Sequence, residues 1–187
     1  LMAAGLLKSD EFADESRITE LYKSIDARVV DLASGSYADV DSDSFDARKA
    51  AKDNTQNVAI PVAKDLAGIK VRARHSDVYL VSDDKRVRKV ILPINGKGLW
   101  STLYGFIALD TKDLNTIRGL VYYEHAETPG LGGEVDNPNW KALWDGKKAY
   151  GDDGQVLIEV IKGQVVPGNP KAEYQVDGLS GATITAN

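Results

Sequence analysis

Residues 78–94 read VYLVSDDKRVRKVILPI, which is two runs of aliphatic and β-branched residues on either side of a polar segment. Val78 to Val81 and Val87 to Ile94 have the composition of β-strands, and Asp83-Asp84-Lys85 between them has that of a tight turn. This stretch predicts a β-hairpin. Its strands must run antiparallel, because parallel strands need a crossover of a dozen residues or more.

The chain beyond this hairpin repeats the same pattern. Leu103 to Leu109 and Ile117 to Tyr123 are two more apolar runs, joined by the polar residues 110–115. Val156 to Ile161 is the last predicted strand. Neighbouring strands with short turns, and helices outside them, predict the α+β class with an antiparallel sheet flanked by helices.

Helices are predicted before and between these strands. The apolar residues of segments 9–25 and 61–74 recur at near-helical spacing, and Val29 to Leu32 between them reads as a short strand. A third, short helix is predicted over residues 137–146, because an asparagine cap is followed by proline at the first helical position. Residues 165–174 are predicted to form a loop.

Composition and charge exclude several classes of protein. A chain of 187 residues fits one domain with a substantial core, and its 43% apolar and 27% charged residues are typical of globular proteins. The net charge of −5 makes nucleic acid a poor partner. Without cysteine, and with only His75 and His125, the chain offers no thiolate or multi-histidine metal site and little material for a catalytic triad. We expect no metal site.

Both ends of the chain are unusual. No apolar run approaches the roughly 20 residues that cross a bilayer. Residues 1–7, LMAAGLL, nevertheless start without an initiating methionine, and we consider a tag remnant, a helix start and the trailing end of a removed membrane anchor. At the other end, a helix expected to begin near Ala182 has too few residues to finish before Asn187. We therefore expect a chain trimmed at its C-terminus.

Residues 177–185 read DGLSGATIT and offer hydroxyl groups on a backbone with little side-chain cover. Ser180 is a good N-cap, and the N–H groups of Gly181, Ala182 and Thr183 could face an anion such as phosphate at a helix start. The tetrapeptide Ser-Gly-Ala-Thr resembles the flavinylation motif of bacterial flavoproteins. In that motif a flavin transferase joins the phosphate of FMN to the threonine hydroxyl, and the matching residue here is Thr183.

A first glycine-bearing loop follows the predicted hairpin at residues 93–100, PINGKGLW. Gly98 would let backbone approach a flat ligand, Lys97 would supply one positive charge, and Trp100 would lay a ring beside that ligand. A hairpin turn followed by a core tryptophan is the structural alternative.

A second glycine-bearing loop spans residues 127–134, ETPGLGGE. Pro129-Gly130 is the pair that a type II turn prefers, and the surrounding glycines leave backbone N–H and C=O groups available. Flavin rings are bound partly by such groups. The loop is not a dinucleotide fingerprint, because Val135 stands where the third glycine belongs and no βαβ unit surrounds it. This excludes an NAD site of that type.

Taken in order, the GKGLW, ETPGLGGEV and DGLSGAT segments resemble the C-subunit of the bacterial sodium-translocating NADH:quinone oxidoreductase. The resemblance covers most of the chain from about Val78. It implies a single FMN-binding domain over residues 76–187, preceded by an N-terminal helical region, residues 1–75, that follows a membrane anchor. The G-subunit of the related Rnf electron-transport complex shares the TPGLG and SGAT segments and is the alternative flavoprotein family.

The resemblance implies an electron carrier, without catalytic residues of its own, whose FMN passes electrons on towards another covalent flavin and ubiquinone. NADH and sodium would bind other subunits. It places the soluble domain on the periplasmic side of the bacterial inner membrane, where a flavin transferase matures it. The cofactor-binding residues that we expect are Thr183 for covalent attachment, Ser180, Gly181 and Ala182 around the phosphate, Glu127, Thr128, Gly130, Leu131 and Gly132 along the ring, and Lys97, Gly98 and Trp100 across the cleft.

Functions of other classes remain alternatives. A hydrolase could use Ser180 as nucleophile, but its surroundings lack the Gly-x-Ser-x-Gly elbow and histidine bases are scarce. A structural or adaptor domain could carry the same tetrapeptide by chance. The alternating aspartates of residues 39–43 lack the glycine and glutamate of an EF-hand and read as a solvated loop. The basic residues of segment 85–89 read as a solvated strand face, and His125 as a strand-end residue.

Overall fold

The computed structural model describes residues 1–8 and 11–182 of the chain. Within this part, no helix is both long and apolar enough to cross a membrane. The helices are α1 Glu15–Tyr22, α2 Ala47–Lys52 and α3 Pro138–Ala142. The strands are β1 Ile25–Asp31, β2 Asn57–Ala59, β3 Val71–Ala73, β4 His75–Asp83, β5 Arg86–Lys97, β6 Thr102–Asp110, β7 Ile117–Glu124, β8 Glu159–Val160 and β9 Gln175–Val176. Short 3₁₀ helices occupy Val62–Lys64, Gly132–Asp136 and Ala172–Tyr174.

The main sheet has five antiparallel strands in the order β1-β4-β5-β6-β7. Strands β4 to β7 are consecutive in the chain and form a meander, and β1 pairs with the remaining edge of β4. Two small pairs accompany the sheet: β2 with β3, antiparallel, and β8 with β9, parallel. The predicted α+β class with an antiparallel sheet is confirmed.

The predicted hairpin is β4 and β5, with a two-residue turn. Asp83 pairs with Arg86, so Asp84 and Lys85 form the turn, and both have positive φ, 47° and 64°. Two successive residues with positive φ are the geometry of a type I′ turn, whose twist matches that of the strands it joins. The local sequence was therefore sufficient to place this hairpin.

The predicted helix over residues 61–74 is wrong. Only Val62–Lys64 forms a single 3₁₀ turn, and the segment ends in β3. The Asp65 carboxylate accepts hydrogen bonds from the backbone N–H groups of Ile69 and Lys70, at 2.9 and 2.8 Å. This closes a loop in which Lys70 takes φ of 66°, and side-chain bonds of this kind compete with helical backbone bonds.

The N-terminal region also differs from the prediction. Helix α1 begins at Glu15, where the Asp14 side chain accepts a hydrogen bond from the Arg17 N–H at 2.8 Å. Residues 9 and 10, which open the predicted helix, lie outside the described residues. Ile25, expected to end the helix, opens β1. Residues 1–75 are therefore not only helical, since they supply the edge strand of the main sheet as well as β2 and β3.

The sheet is covered on both faces. On one face, the N-terminal residues Ala3 and Ala4 are buried against Val81, Ile91 and Ala108. The opposite face carries a second cluster, made by the buried residues Leu103, Leu120, Val135, Trp140 and Val176. Strand residues one position apart point to opposite faces of a sheet, so the alternation of apolar residues divides them between the two clusters. The second face is covered by the part of the chain that contains the ETPGLGGE and DGLSGAT segments.

The end of the chain contains a strand pair that the sequence did not indicate. The strand predicted over 156–161 is limited to β8, and β8 pairs in parallel with β9, which directly follows the predicted loop. Two-residue strands carry too little periodicity to be recognised from sequence. This pairing brings the chain to Asp177, the first residue of the DGLSGAT segment.

Two buried tyrosines are expected to lower the stability of the fold at alkaline pH. Burial raises the pKa of Tyr79 and of Tyr122 to about 12, from an ordinary value of about 10. Because the folded state keeps these phenols protonated, their contribution to stability is complete below about pH 10 and is lost as the pH rises towards about 12. We expect the free energy of unfolding in urea to fall over this range, and to fall less steeply in Tyr122→Phe. Tyr37→Phe, at an exposed position that does not affect the pKa of either tyrosine, should behave like the parent chain.

Candidate functional site

The three motif segments meet at one end of the main sheet. Because β5, β6 and β7 are antiparallel, the end of β5, the start of β6 and the end of β7 lie at the same end of the sheet. The register pairs Lys97 with Thr102 and Tyr104 with Glu124. Residues 98–101 connect β5 to β6 at this end of the sheet, and the chain leaves β7 there to form the second glycine-bearing loop.

A buried carboxylate joins these two loops. Glu127 is 6% exposed, and its Oε1 accepts hydrogen bonds from the backbone N–H groups of Trp100 and Ser101, each at 3.0 Å. Oε1 also accepts from the Ser101 hydroxyl at 3.3 Å, and Oε2 accepts from the Leu99 N–H at 3.3 Å. A carboxylate holding several N–H donors forms strong, charge-assisted bonds. Glu127 therefore fixes the loop that carries Trp100.

The backbone around this contact is tightly packed. The Gly98 N–H donates to the Ser101 carbonyl at 2.8 Å, and the Ala126 N–H donates to the Ser101 hydroxyl at 2.8 Å. A Cβ at position 98 would lie 2.5 Å from Leu103 Cδ1 and 2.6 Å from Glu127 Oε1. The glycine is required here because a carboxylate approaches the backbone, which is a different reason from the ligand approach predicted from sequence.

Gly98→Ala is expected to destabilise the protein, and Gly96→Ala is its matched control. The new methyl group at position 98 must displace the Glu127 carboxylate or the Leu103 side chain, at a cost of about 1–3 kcal/mol. A Cβ at position 96 would meet only Ala67, at an ordinary 3.5 Å. Urea unfolding of both variants measures the difference. Equal stability of the two variants would show that the Glu127 carboxylate and Leu103 leave room for a methyl group at position 98.

The second glycine-bearing loop folds back on itself. The Thr128 carbonyl accepts hydrogen bonds from the N–H groups of Leu131 and Gly133, at 3.1 and 2.9 Å. Gly130 has φ of 75°, as the predicted Pro-Gly turn requires. Gly132 is buried and starts the 3₁₀ helix that ends at Asp136. The turn leaves the Leu131 side chain 46% exposed at the edge of the sheet.

The third segment is anchored at its first two residues. Trp140 Nε1–H donates to the Asp177 carbonyl at 2.8 Å, and the Val165 N–H donates to the Asp177 carboxylate at 2.8 Å. The Gly178 N–H donates to the Gly163 carbonyl at 2.8 Å. A Cβ at position 178 would collide with the Ile161 carbonyl, so only glycine fits there.

The third segment then meets the second loop. Gly181 has φ of 74°, and a Cβ there would lie 2.5 Å from Leu131 Cδ2. Ala182 is 3% exposed, and its N–H donates to the Leu179 carbonyl at 3.3 Å. Thr183, the predicted attachment residue, lies outside the described residues. The residues that lead directly to it are thus packed beside the glycine-bearing loop.

Exposed backbone donors are available at this junction. Four backbone N–H groups have no hydrogen-bond acceptor among residues 1–8 and 11–182. They belong to Thr128, Gly130, Ser180 and Gly181. All four residues are exposed. Exposed backbone N–H groups of this kind can bind the oxygen atoms of an anion or of a carbonyl group.

Exposed apolar side chains lie on the loops around these donors. Trp100 is 70% exposed, and Leu99 and Leu131 are each about half exposed. Large apolar side chains beside a few convergent polar groups are typical of ligand sites. Lys97, the third residue predicted from the first loop, is exposed at the end of β5, and the first carbons of its side chain lie beside Gly68. The exposed N–H groups and apolar side chains of these loops could hold a flat ring that carries a phosphate.

Sequence reasoning missed two residues in contact with Glu127, namely Ser101 and His125. His125 was interpreted as a strand-end residue, and it does follow the last residue of β7. Its Nε2 lies 2.8 Å from Asp136 Oδ2, and its Nδ1 is 3.3 Å from the Glu127 backbone N. Ser101 directly follows a predicted motif residue, and His125 lies two residues before another, which is the signal that could have identified them.

Comparison with protein families and with known sequences gives consistent relatives. The family described as FMN-binding domain matches residues 98–187. The C-subunit of the Na(+)-translocating NADH-quinone reductase of Pseudomonas aeruginosa is 55% identical over 173 residues, which are 92% of this chain and 63% of that protein. The corresponding C-subunit of Yersinia pestis is 46% identical over 188 residues, or 100% of this chain and 69% of that protein.

Solved structures give the same result. The crystal structure of Shewanella oneidensis NqrC is similar with a TM-score of 0.82 and 38% identity, covering 94% of this chain and 79% of that one. The C-subunit structure from Parabacteroides distasonis gives a TM-score of 0.68 and 28% identity, covering 95% and 77%. The chain thus spans 63% and 69% of the two relatives compared by sequence.

Proposed function

Since this chain belongs to the C-subunit family of the Na(+)-translocating NADH-quinone reductase, an oxidoreductase, we propose that it relays electrons through an FMN attached by a phosphoester to Thr183. The C-subunit family is favoured over the G-subunit of the Rnf complex because the relatives and the solved structures compared above are all C-subunits. The other subunits of such an enzyme would be its partners, and NADH, ubiquinone and sodium would bind to them. The soluble domain would face the periplasm beside the bacterial inner membrane.

The main support for this proposal is that the three motif segments, GKGLW, ETPGLGGEV and DGLSGAT, meet at one end of the sheet. Glu127 connects the Trp100 loop to the second glycine-bearing loop, and Gly181 packs on Leu131 of that loop. The described residues that lead to Thr183 therefore end beside the second glycine-bearing loop, which Glu127 connects to the Trp100 loop. A purely structural domain gives no reason for exposed donors and exposed apolar side chains at this junction.

Each loop has a distinct role in the proposed site. The Ser180 and Gly181 N–H groups would bind phosphate oxygens, and the Thr128 and Gly130 N–H groups would bind the polar ring edge. Trp100, together with Leu131, would pack against the ring and exclude water. FMN supplies the redox chemistry, and the protein holds it, orients it and tunes its surroundings. A covalent tether prevents loss of the cofactor in either oxidation state.

Maturation by a flavin transferase tests the proposal. The chain, extended to the full length of its relatives, would be produced with and without the transferase. With the transferase, the intact mass should rise by one FMN less one water, and the yellow colour should survive acid precipitation. Without it, the chain should be colourless and unmodified. An unmodified chain after treatment with a transferase that modifies a known substrate would contradict the proposal.

A further inference from the structure

His125 uses both nitrogens of a largely buried ring. Its side chain is 14% exposed, whereas the Asp136 carboxylate beside it is half exposed. Nε2 lies 2.8 Å from Asp136 Oδ2, and the Glu127 backbone N–H donates to Nδ1 across 3.3 Å. A merely solvated strand-end histidine would leave at least one nitrogen to water.

The partners determine which nitrogen carries the proton. A carboxylate can only accept, so Nε2 must carry the hydrogen that lies between it and Asp136. A backbone N–H can only donate, so Nδ1 must present its lone pair to Glu127. The arrangement therefore requires the neutral Nε2–H tautomer of His125.

These two bonds connect both ends of the second glycine-bearing loop. His125 precedes the loop, Asp136 ends the 3₁₀ helix that begins within it at Gly132, and the turn at Gly130 lies between them. The residue next to His125 on the loop side is Ala126, whose N–H donates to Ser101, and the next is Glu127. Restraining the Glu127 backbone restrains the carboxylate that gathers the Leu99, Trp100 and Ser101 amides.

We propose that His125 is a positioning residue of the flavin site, acting through Glu127 on the Trp100 loop and through Asp136 on the far end of the glycine-bearing loop. The role in flavin binding rests on the function proposed above. The positioning itself is a property of the chain without cofactor and can be measured there. His125 would touch neither the flavin nor the reacting atoms.

Two substitutions separate the two bonds of the ring. In His125→Asn, Oδ1 stands as many bonds from the backbone as Nδ1 and can accept from the Glu127 N–H, but nothing reaches Asp136. In His125→Gln, the amide nitrogen corresponds to Nε2 and can donate to Asp136, but the Glu127 N–H loses its acceptor. Asp136→Asn keeps an acceptor for Nε2–H and is the matched control at the other end.

Amide hydrogen exchange of the unflavinylated chain is the direct measurement. We expect the Leu99, Trp100 and Ser101 amides to exchange about fivefold to tenfold faster in His125→Gln, which corresponds to the loss of one hydrogen bond. His125→Asn should restore near-parental exchange, and Asp136→Asn should change it little. Unchanged exchange of the central β5 and β6 amides would establish that each variant is folded. Imidazole nitrogen shifts of the parent chain should identify the Nε2–H tautomer.

Equal loop exchange in His125→Gln, His125→Asn and the parent chain would overturn the proposal, as would an Nδ1–H tautomer. If His125→Gln does not fold, an Nδ1–H tautomer in the parent chain or clearly faster loop exchange in His125→Asn would still overturn the proposal. Transferase treatment supplies the second readout: His125→Gln should reach normal FMN mass but show altered flavin circular dichroism. Absence of FMN on the parent chain would refute the proposed function and leave the exchange result standing.

Discussion

Thr183→Ala is expected to abolish covalent FMN completely after incubation with a flavin transferase, while Thr185→Ala is expected to gain one FMN. Alanine has no hydroxyl to form the phosphoester, so no amount of transferase can compensate. Thr183→Ser retains a hydroxyl and should be modified, more slowly, since it loses only a methyl group. Intact mass followed by peptide mapping would assign the modified residue.

The matched pair is informative because both threonines lie in the same short segment, two residues apart. We expect the first of them to be modified, because Gly181, two residues before it, packs against Leu131 and Ala182, directly before it, is buried. Modification at Thr185 with Thr183 unmodified would place the phosphoester on a residue other than the proposed one. That outcome would contradict the arrangement of the proposed site.

Glu127→Ala should produce the largest loss of stability among single substitutions at this site, about 3 kcal/mol, because it removes the acceptor of the Leu99, Trp100 and Ser101 N–H groups. Hydrogen bonds to a charged group contribute about 1.5–3 kcal/mol each, and water can replace part of this because the loop is only partly buried. The Trp100 loop should also lose its fixed position relative to the sheet, so flavin fluorescence and circular dichroism should change in the matured protein.

Glu124→Ala is the control for this effect, because it removes the same side chain three residues earlier. The Glu124 carboxylate forms an ion pair with Arg48 at 2.9 Å, but both side chains are substantially exposed. Such surface pairs contribute about 0–1 kcal/mol, so urea unfolding of the two variants should differ by about 2 kcal/mol or more. If they lose equal stability, Glu127 does not organise the loop.

Local sequence patterns were sufficient for the central hairpin and for the family of the chain. The β4–β5 turn could be predicted because Asp84 and Lys85 are flanked by unambiguous strand residues. The resemblance to the C-subunit, based on three short segments, is confirmed by the relatives and the solved structures. The covalent linkage and the individual cofactor contacts remain predictions.

Local patterns failed where a long-range or side-chain contact outweighed them. Residues 61–74 have helical spacing, but the Asp65 carboxylate binds the backbone at Ile69 and Lys70 and ends the helix after one turn. Strands β8 and β9 are two residues each and exist because they pair with one another. Ile25 belongs to a strand since β4 offers it an edge.

The sequence by itself determined an antiparallel sheet, a chain without thiol chemistry, and three segments that identify the C-subunit family. It could do so because alternating apolar residues, turn residues and short motifs act within a few positions of one another. Only the tertiary structure decided that Glu127 binds the Trp100 loop and that His125 holds Glu127 and Asp136. The Glu127 contacts join residues 26 to 28 positions apart. Sequence periodicity carries no information at that distance, whereas adjacent ends of antiparallel strands bring such residues within hydrogen-bonding reach.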